Sequence, residues 1–239
     1  ALGSLRILES IKSAKLINKT KFYQAGTSEM FGNTKDKFQN EKSLFFPQSP
    51  YAASKIYSHW ITKIYRESYG IFASNGILFN HESPRRGETF VTQKIVKGLK
   101  QIKSGKKNKL YLGNLYSIRD WGHAKDYVEA MWKILQHAKS DDWVLATGQI
   151  CSVKDFVNKI CKKLDFHIIW KGKGINEKGI CKITKKTIIE ISKKYFRPLD
   201  VVYLRGDSKK ARLKLGWKPK YNLDTLIEDM LNNKINLSD

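Results

Sequence analysis

Tyr51 and Lys55 stand four residues apart in Ser49-Pro50-Tyr51-Ala52-Ala53-Ser54-Lys55, and Thr27-Ser28-Glu29 lies a short way upstream. A phenol, an ammonium, a hydroxyl and a carboxylate in so short a stretch suit proton transfer in one active site. Ser49 fits a helix N-cap and Pro50 the first helical turn, so Tyr51 and Lys55 fall one turn apart on the same face. An ammonium near a phenol stabilises the phenolate, which lets the tyrosine act as a base well below its free pKa of about 10. A bare Y-x-x-x-K is nevertheless more often a packed helix tyrosine beside a solvated lysine. The neighbouring residues bear on that choice.

The elements that must position these groups follow from periodicity. Lys21 to Ala25 reads as a short buried strand ending at Gly26, which sets Thr27 and Glu29 at a strand C-terminus, where open α/β sheets bind ligands. Strand alternation would put the two, at i and i+2, on one side. The Tyr51 helix runs to about Tyr69, and Gly70 is a natural stop. Residues 1–16 predict a helix with apolar Leu2, Leu5, Ile7, Leu8 and Ile11. Residues 74–79 predict a strand that delivers Asn80 and His81 at its end. Helices are then expected over 90–104, 125–136 and 153–164, and strands over 109–113, 143–147 and 167–170. The tail predicts a strand over 201–204 and helices over 207–215 and 223–233. This alternation argues for an α/β fold, a parallel sheet with a smaller C-terminal lobe.

The chain has 239 residues, 41% of them hydrophobic, enough for one large domain or a domain plus a smaller lobe. No apolar run approaches the roughly 18 residues that span a bilayer, and no membrane partner is expected. Cys151, Cys161 and Cys181 are irregularly spaced and cannot all pair, which argues for reduced thiols and a cytoplasmic setting. A formal charge of +23 raises the question of nucleic acid. The lysines are scattered, however, and no zinc-finger spacing, basic heptad or aromatic RNA-binding motif appears. A solvated lysine surface is the expectation, without a nucleic-acid partner. His123 and Asp126 have metal-ligand spacing but are only two, and Asp126 fits better as a cap of the following helix. No metal is expected. Gly172-Lys173-Gly174 lacks a third glycine and reads as a loop.

Four blocks are more specific than any pair. The first is Phe22-Tyr23-Gln24-Ala25-Gly26-Thr27-Ser28-Glu29-Met30-Phe31-Gly32, and the second is the Ser49 to Lys55 run. The third includes Asn80-His81-Glu82-Ser83-Pro84-Arg85-Arg86-Gly87-Glu88-Thr89-Phe90-Val91-Thr92. The fourth includes Arg119-Asp120-Trp121-Gly122-His123-Ala124-Lys125-Asp126-Tyr127. Together they resemble the extended short-chain dehydrogenase/reductase superfamily and, within it, the GDP-mannose 4,6-dehydratase family. The likeness continues more loosely through Tyr195-Phe196-Arg197-Pro198 to Leu215-Gly216-Trp217-Lys218-Pro219, and so spans nearly the whole chain. The strand, Gly-rich turn and helix that open such enzymes are not among these residues, which read as a fragment lacking the N-terminal dinucleotide-binding part.

The resemblance implies a Rossmann-like doubly wound parallel sheet without its N-terminal strands. Residues 1–149 would be the remaining NADP-binding part with the catalytic residues, some of its segments contributing to the substrate lobe, and 150–239 mainly a nucleotide-sugar-binding lobe. It also implies conversion of GDP-mannose to GDP-4-keto-6-deoxymannose and water by internal hydride transfer through NADP, a step towards GDP-fucose and other GDP-6-deoxyhexoses. In that reading Tyr51 takes the C4 hydroxyl proton, and Lys55 lowers its pKa and binds the nicotinamide ribose. Thr27 hydrogen-bonds the C4 oxygen, and Glu29 removes the C5 proton and helps water depart. His81 and Arg86 fall at cofactor positions, Asn80 at a sugar-nucleotide position, and Arg119 and Arg197 are candidates for the pyrophosphate. A homodimer or homotetramer is implied by the same likeness.

Glu29 separates this reading from related epimerases, which usually lack an acid there. Several alternatives stay open. Glu29 could be a loop carboxylate paired with a lysine, His81 a hydrogen-bonded loop histidine, and Arg119 and Arg197 salt-bridge partners. The chain could also be another nucleotide-sugar epimerase or dehydratase, or a non-catalytic basic binding module. Gly26 stands where the family usually has serine, which adds backbone freedom, and Leu199-Asp200 where a Thr-Glu or similar polar pair is common. The 239 residues alone are expected to be inactive.

Overall fold

The computed structural model describes residues 1–195 and 199–232. In chain order these form α1 (Leu2–Ser13), β1 (Lys21–Ala25), α2 (Pro50–Tyr69), β2 (Phe72–Leu78) and β3 (Asn80–Glu82). Next come α3 (Val91–Lys103), β4 (Leu110–Leu112), β5 (Ile118–His123), α4 (Ala124–Gln136), β6 (Asp142–Leu145) and β7 (Ile150–Ser152). The remainder carries α5 (Val153–Lys163), β8 (Ile168–Lys171), β9 (Lys178–Cys181), β10 (Thr187–Ile191), α6 (Lys209–Leu215) and α7 (Leu223–Asn232). No helix among the described residues is long and apolar enough to cross a membrane.

Two compact units share the chain. One takes Ala1–His81, Asp120–Ile150 and Val201–Asn222, and the other takes Glu82–Arg119, Cys151–Asp200 and the stretch from Leu223 on. Residues 82–119 go with the later segment, and 201–222 return to the first unit. All three early crossings fall inside short strands, so no Pro- or Gly-rich linker marks them in the sequence.

The first unit is built on a parallel sheet of order β1-β2-β6, paired from Lys21↔Phe72 to Ala25↔Gly76 and from Asn75↔Asp142 to Leu78↔Leu145. Among the described residues β1 pairs on one side only. Alternation along β2 decides what covers each face. Ala73 packs with Leu8, Ile11 and Tyr65 of α1 and α2, whereas Leu78 packs with Tyr127, Ala130 and Ile134 of α4. Helices on both faces of a parallel sheet make the doubly wound α/β arrangement.

α2 forms where expected because its ends are specified. The Ser49 hydroxyl accepts the Ala52 N–H at 3.1 Å, Pro50 opens the first turn, and Gly70 closes the helix at φ 68°. The inner face of α2 also carries a polar cluster. Asp142 accepts two bonds from Arg66, at 3.0 and 3.3 Å, and one from Asn75 at 2.8 Å. Burial by itself raises the Asp142 carboxyl, but Arg66 and Asn75 outweigh it and hold it below the usual range. His59, with its Nε2 at 3.8 Å from Asp142, is held below its ordinary 6.5 by burial, with Arg66 and Lys63 acting in the same direction against Asp142.

The sign of the resulting pH dependence follows. Below the unfolded pKa the unfolded imidazole binds a proton that the folded one refuses, so stability is full above about pH 6.5 and declines as pH falls through the folded pKa. Tm measured between pH 7.5 and 5 is expected to drop, and His59→Gln should flatten that slope. An unchanged slope in the variant would assign it to other groups.

Two glycines of this sheet are present for space. A Cβ on Gly76 would lie 2.1 Å from the Tyr23 hydroxyl, so Gly76→Ala is expected to lower stability by about 1–3 kcal/mol, read as a fall in Tm. Gly26 does not take a positive φ. A Cβ there would meet the Gly76 carbonyl oxygen at 2.8 Å, so close approach, not the backbone freedom expected, is what distinguishes glycine from serine here.

Three expectations change. Residues 201–204 are not a strand: Val201 and Leu204 are buried against Met30, Phe31 and Phe79 as core packing, and the stretch carries single bridge positions at Tyr203 and Gly206, the latter paired with Gln39. Apolar content read as a strand is here a buried loop. The cap of α4 is His123, whose ring accepts the Lys125 N–H at 3.1 Å, while Asp126 in the first turn accepts from the Tyr221 N–H at 3.1 Å. β3, β5, β7, β9 and β10 were not anticipated.

In the second unit a four-stranded sheet of order β4-β10-β9-β8 runs parallel between β4 and β10 and antiparallel elsewhere. Gly172 and Gly174 both take positive φ just after β8, consistent with a loop.

Candidate active site

In the first unit the groups gather at the C-terminal ends of β1 and β2. Lys55, one turn into α2, donates from Nζ to the carbonyl of Ala25 at 2.8 Å, which ties it to the last residue of β1. Burial holds its pKa below 10.5. Its Nζ lies 5.8 Å from the Tyr51 ring centroid, a neighbouring charge without a direct bond to the phenol. Tyr51 is 53% exposed, and its hydroxyl has no protein partner among the described residues. A packed core tyrosine is therefore not what this position holds.

Thr27 and Glu29 are not placed by strand alternation. A single 3-10 turn, Ser28–Met30, follows β1, and Thr27 caps it by accepting the Glu29 N–H on Oγ1 at 3.3 Å. A short threonine side chain competes well for a free backbone N–H at such an end, so the chain curls where an extended strand was expected. The turn is anchored from below. Ser28 and Met30 are buried, and Met30 and Phe31 belong to a core with Ile77, Phe79 and Val144, against which Ile56 of α2 packs. Glu29 is left half-buried between anchored neighbours. No lysine pairs with its carboxylate among the described residues, which removes the reading of a salt-bridged loop acid.

At the end of β2, Asn80 has a buried Oδ1 without a hydrogen-bond partner. His81 engages the Phe79 carbonyl through Nδ1 at 2.9 Å and stacks on Tyr127 at 4.9 Å between centroids. That contact fits Nδ1–H as donor, with Nε2 as the other ring nitrogen. Asp120, which sequence reasoning did not single out, is buried and accepts from Thr147 N and Oγ1 at 2.9 and 2.5 Å and from Gly148 N at 2.8 Å. Burial raises its carboxyl against those bonds.

The remaining candidates lie in the second unit. Arg86 sits 3.1 Å from the Glu82 carboxylate through Nε and 3.6 Å over the Phe90 ring. Arg119 bonds its own neighbour's carbonyl, Ile118, at 3.0 Å and approaches Asp200 at 3.4 Å. Asp200 also accepts from Ser117 at 2.7 Å and Asn114 at 3.3 Å, so the unusual Leu199-Asp200 pair brings a carboxylate to Arg119. Arg197 lies outside the described residues. Lys94 of α3, also missed from sequence, sits 3.2 Å from the Tyr195 ring centroid. Burial lowers its pKa, Tyr195 acts against that, and Lys107 and Lys194 lower it further. Three ammonium groups near one another suit an anion.

In the first unit Asn80 Oδ1 is an unsatisfied buried acceptor and Lys55 a half-buried cation at a strand end, which fits polar groups of a dinucleotide. In the second unit neither Nη of Arg86 has a protein partner among the described residues, which suits a phosphate.

A family model described as GDP-mannose 4,6 dehydratase matches residues 1–230. GDP-mannose 4,6 dehydratase of Homo sapiens is 48% identical over 99% of this chain and 63% of its own length. GDP-mannose 4,6-dehydratase of Sinorhizobium fredii (strain HH103) is 49% identical over 98% of this chain and 67% of its own. The chain thus spans less than two-thirds of the human relative. Among solved structures, dTDP-glucose 4,6-dehydratase from Bacillus anthracis in complex with NAD superimposes with TM-score 0.78 at 21% identity, over 97% of this chain and 66% of that one. RMD from Pseudomonas aeruginosa complexed with NADPH gives 0.79 at 18% identity, over 96% and 71%. These two share the fold.

Proposed function

The chain belongs to the GDP-mannose 4,6-dehydratase family, and from that premise we propose that it carries the proton-handling part of an NADP-dependent lyase acting on GDP-mannose. The product is GDP-4-keto-6-deoxymannose, with water leaving from C5–C6. NADP, when bound, supplies the hydride store between C4 and C6. Tyr51 accepts the C4 hydroxyl proton, with the Lys55 charge stabilising its phenolate. Thr27 orients the C4 oxygen. Glu29 takes the C5 proton, acidified by the ketone at C4, and gives a proton to the departing C6 hydroxyl. Lys55, His81 and Arg86 are assigned to the cofactor, and Asn80, Arg119 and Arg197 to the sugar nucleotide, with Lys94 suited to the same diphosphate. The protein works as a homodimer or homotetramer in this reading.

The observation that carries the reading is Glu29: a carboxylate without a protein partner among the described residues, held on an anchored turn that packs against the helix bearing Tyr51 and Lys55. An epimerase needs the phenol and not this acid. The test uses the full natural polypeptide with GDP-mannose and NADP⁺, followed by mass spectrometry. A sugar nucleotide lighter by one water without accumulating NADPH is expected. An isomer of unchanged mass would support an epimerase instead.

A further inference from the structure

The block from Glu82 to Thr92 contains more than one phosphate-binding arginine. Ser83-Pro84-Arg85-Arg86 closes a turn, with the Arg86 N–H bonded to the Ser83 carbonyl at 3.0 Å and proline at the position where its fixed φ suits a turn. That turn folds Arg86 back over Glu82. A second turn brings the Phe90 N–H to the Gly87 carbonyl at 3.1 Å and sets the Phe90 ring against the Arg86 guanidinium at 3.6 Å. Thr92, in the first turn of α3, then donates to Glu82 Oε2 at 2.6 Å. The same oxygen lies 3.1 Å from Arg86 Nε.

We propose that Glu82 is a positioning residue, a carboxylate braced by Thr92 that holds the Nε edge of Arg86 and leaves both Nη groups presented to a phosphate of the dinucleotide. The inference rests on the assignment of Arg86 to the cofactor made above. Glu82 is 2% exposed, and a buried carboxylate is retained against its desolvation cost only when paired and bonded. Here one oxygen has both partners. A free arginine must give up much side-chain freedom to grip a phosphate. One already fixed along its edge by Glu82 and on its face by Phe90 gives up less, which tightens binding through preorganisation. None of the five guanidinium N–H donors makes a hydrogen bond to protein among the described residues: Nε meets Glu82 as an ion pair, and the four donors on Nη are left for a phosphate. The Glu82–Arg86 spacing of four is the signal a sequence reading could have used. The Thr92 brace depends on the two turns and is not visible without them.

The experiment uses the full natural polypeptide and compares wild type, Glu82→Gln, Arg86→Lys, their double variant and Thr92→Val, reading Kd for NADP⁺ by fluorescence titration and kcat and KM for GDP-mannose. Glu82→Gln is expected to weaken NADP⁺ binding about tenfold, with kcat and the sugar KM changed less than about twofold. Arg86→Lys should weaken NADP⁺ at least as much, and the double variant should be no worse than Arg86→Lys, because Glu82 acts through Arg86. Thr92→Val removes only the brace and should shift Kd in the same direction by less, which keeps the test open if Glu82→Gln folds poorly. Equal NADP⁺ affinity in Glu82→Gln or Thr92→Val, or additive losses in the double variant, would overturn the proposal. A wild type that turns over GDP-mannose while Arg86→Lys binds NADP⁺ normally would overturn the Arg86 assignment and this inference, leaving the lyase reading in place. A wild type that binds no NADP⁺ would sink both.

Discussion

Glu29→Gln in the full natural polypeptide is expected to lower dehydration of GDP-mannose by roughly 10²–10⁴-fold, the usual contribution of a positioned acid–base group, while leaving the fold unchanged. Glutamine keeps the side-chain shape, and the turn does not depend on the carboxylate: Thr27 bonds the backbone N–H of residue 29, and Met30 and Phe31 anchor the turn in the core. Tm should therefore move little. The informative readout is the partial reaction. In the proposed mechanism oxidation at C4 uses Tyr51 and Lys55, so the variant should still reduce its bound cofactor, in an amount limited by the number of active sites. Elimination across C5–C6 should stop. Wild-type turnover in this variant would remove Glu29 from the chemistry.

Tyr51→Phe and Lys55→Met are expected to lose activity on the same scale, about 10²–10⁴-fold, but at the earlier stage. Without the phenol nothing accepts the C4 hydroxyl proton. Without Lys55 the phenolate loses its neighbouring charge, and α2 loses the bond to Ala25 that ties it to the end of β1. Neither variant should show the cofactor reduction that Glu29→Gln retains. Absorbance at the reduced-cofactor band after mixing with GDP-mannose separates the two classes. Cofactor reduction in Tyr51→Phe at the wild-type rate would contradict the assignment of the base.

Where side-chain chemistry specifies an element locally, the sequence was enough to place it. Ser49, Pro50 and Gly70 mark α2 so well that both ends and the Tyr51–Lys55 face agree with expectation. Lys21–Ala25 was equally legible, because a short β-prone run closes on a small residue. The Glu29 turn was not. Its geometry depends on Thr27 capturing a backbone N–H and on Met30 finding the core, and neither leaves a period in the sequence. Residues 201–204 misled for the opposite reason, since an apolar run reads alike as a strand or as a buried loop. The three-residue strands β3 and β7 are too short to show alternation. β5, with Asp120, Trp121, Gly122 and His123 all buried, shows none. At the proposed site, residue types with one dominant chemistry stand out in the sequence. Glu82, Asp120 and Lys94 were missed because their roles come from partners brought close by folding: Arg86 and Thr92 for the first, the 147–148 loop for the second, Tyr195 for the third.

The central claim is an internal redox elimination in which one hydride leaves C4 and returns to C6 of the same sugar. The most direct measurement gives the full natural polypeptide GDP-mannose carrying deuterium at C4, with NADP⁺, and locates the label in the product by NMR. The account predicts a 4-keto-6-deoxy product with deuterium on C6 and a solvent-derived hydrogen at C5. Product without deuterium at C6, or label recovered at C4 of an epimer, would contradict it.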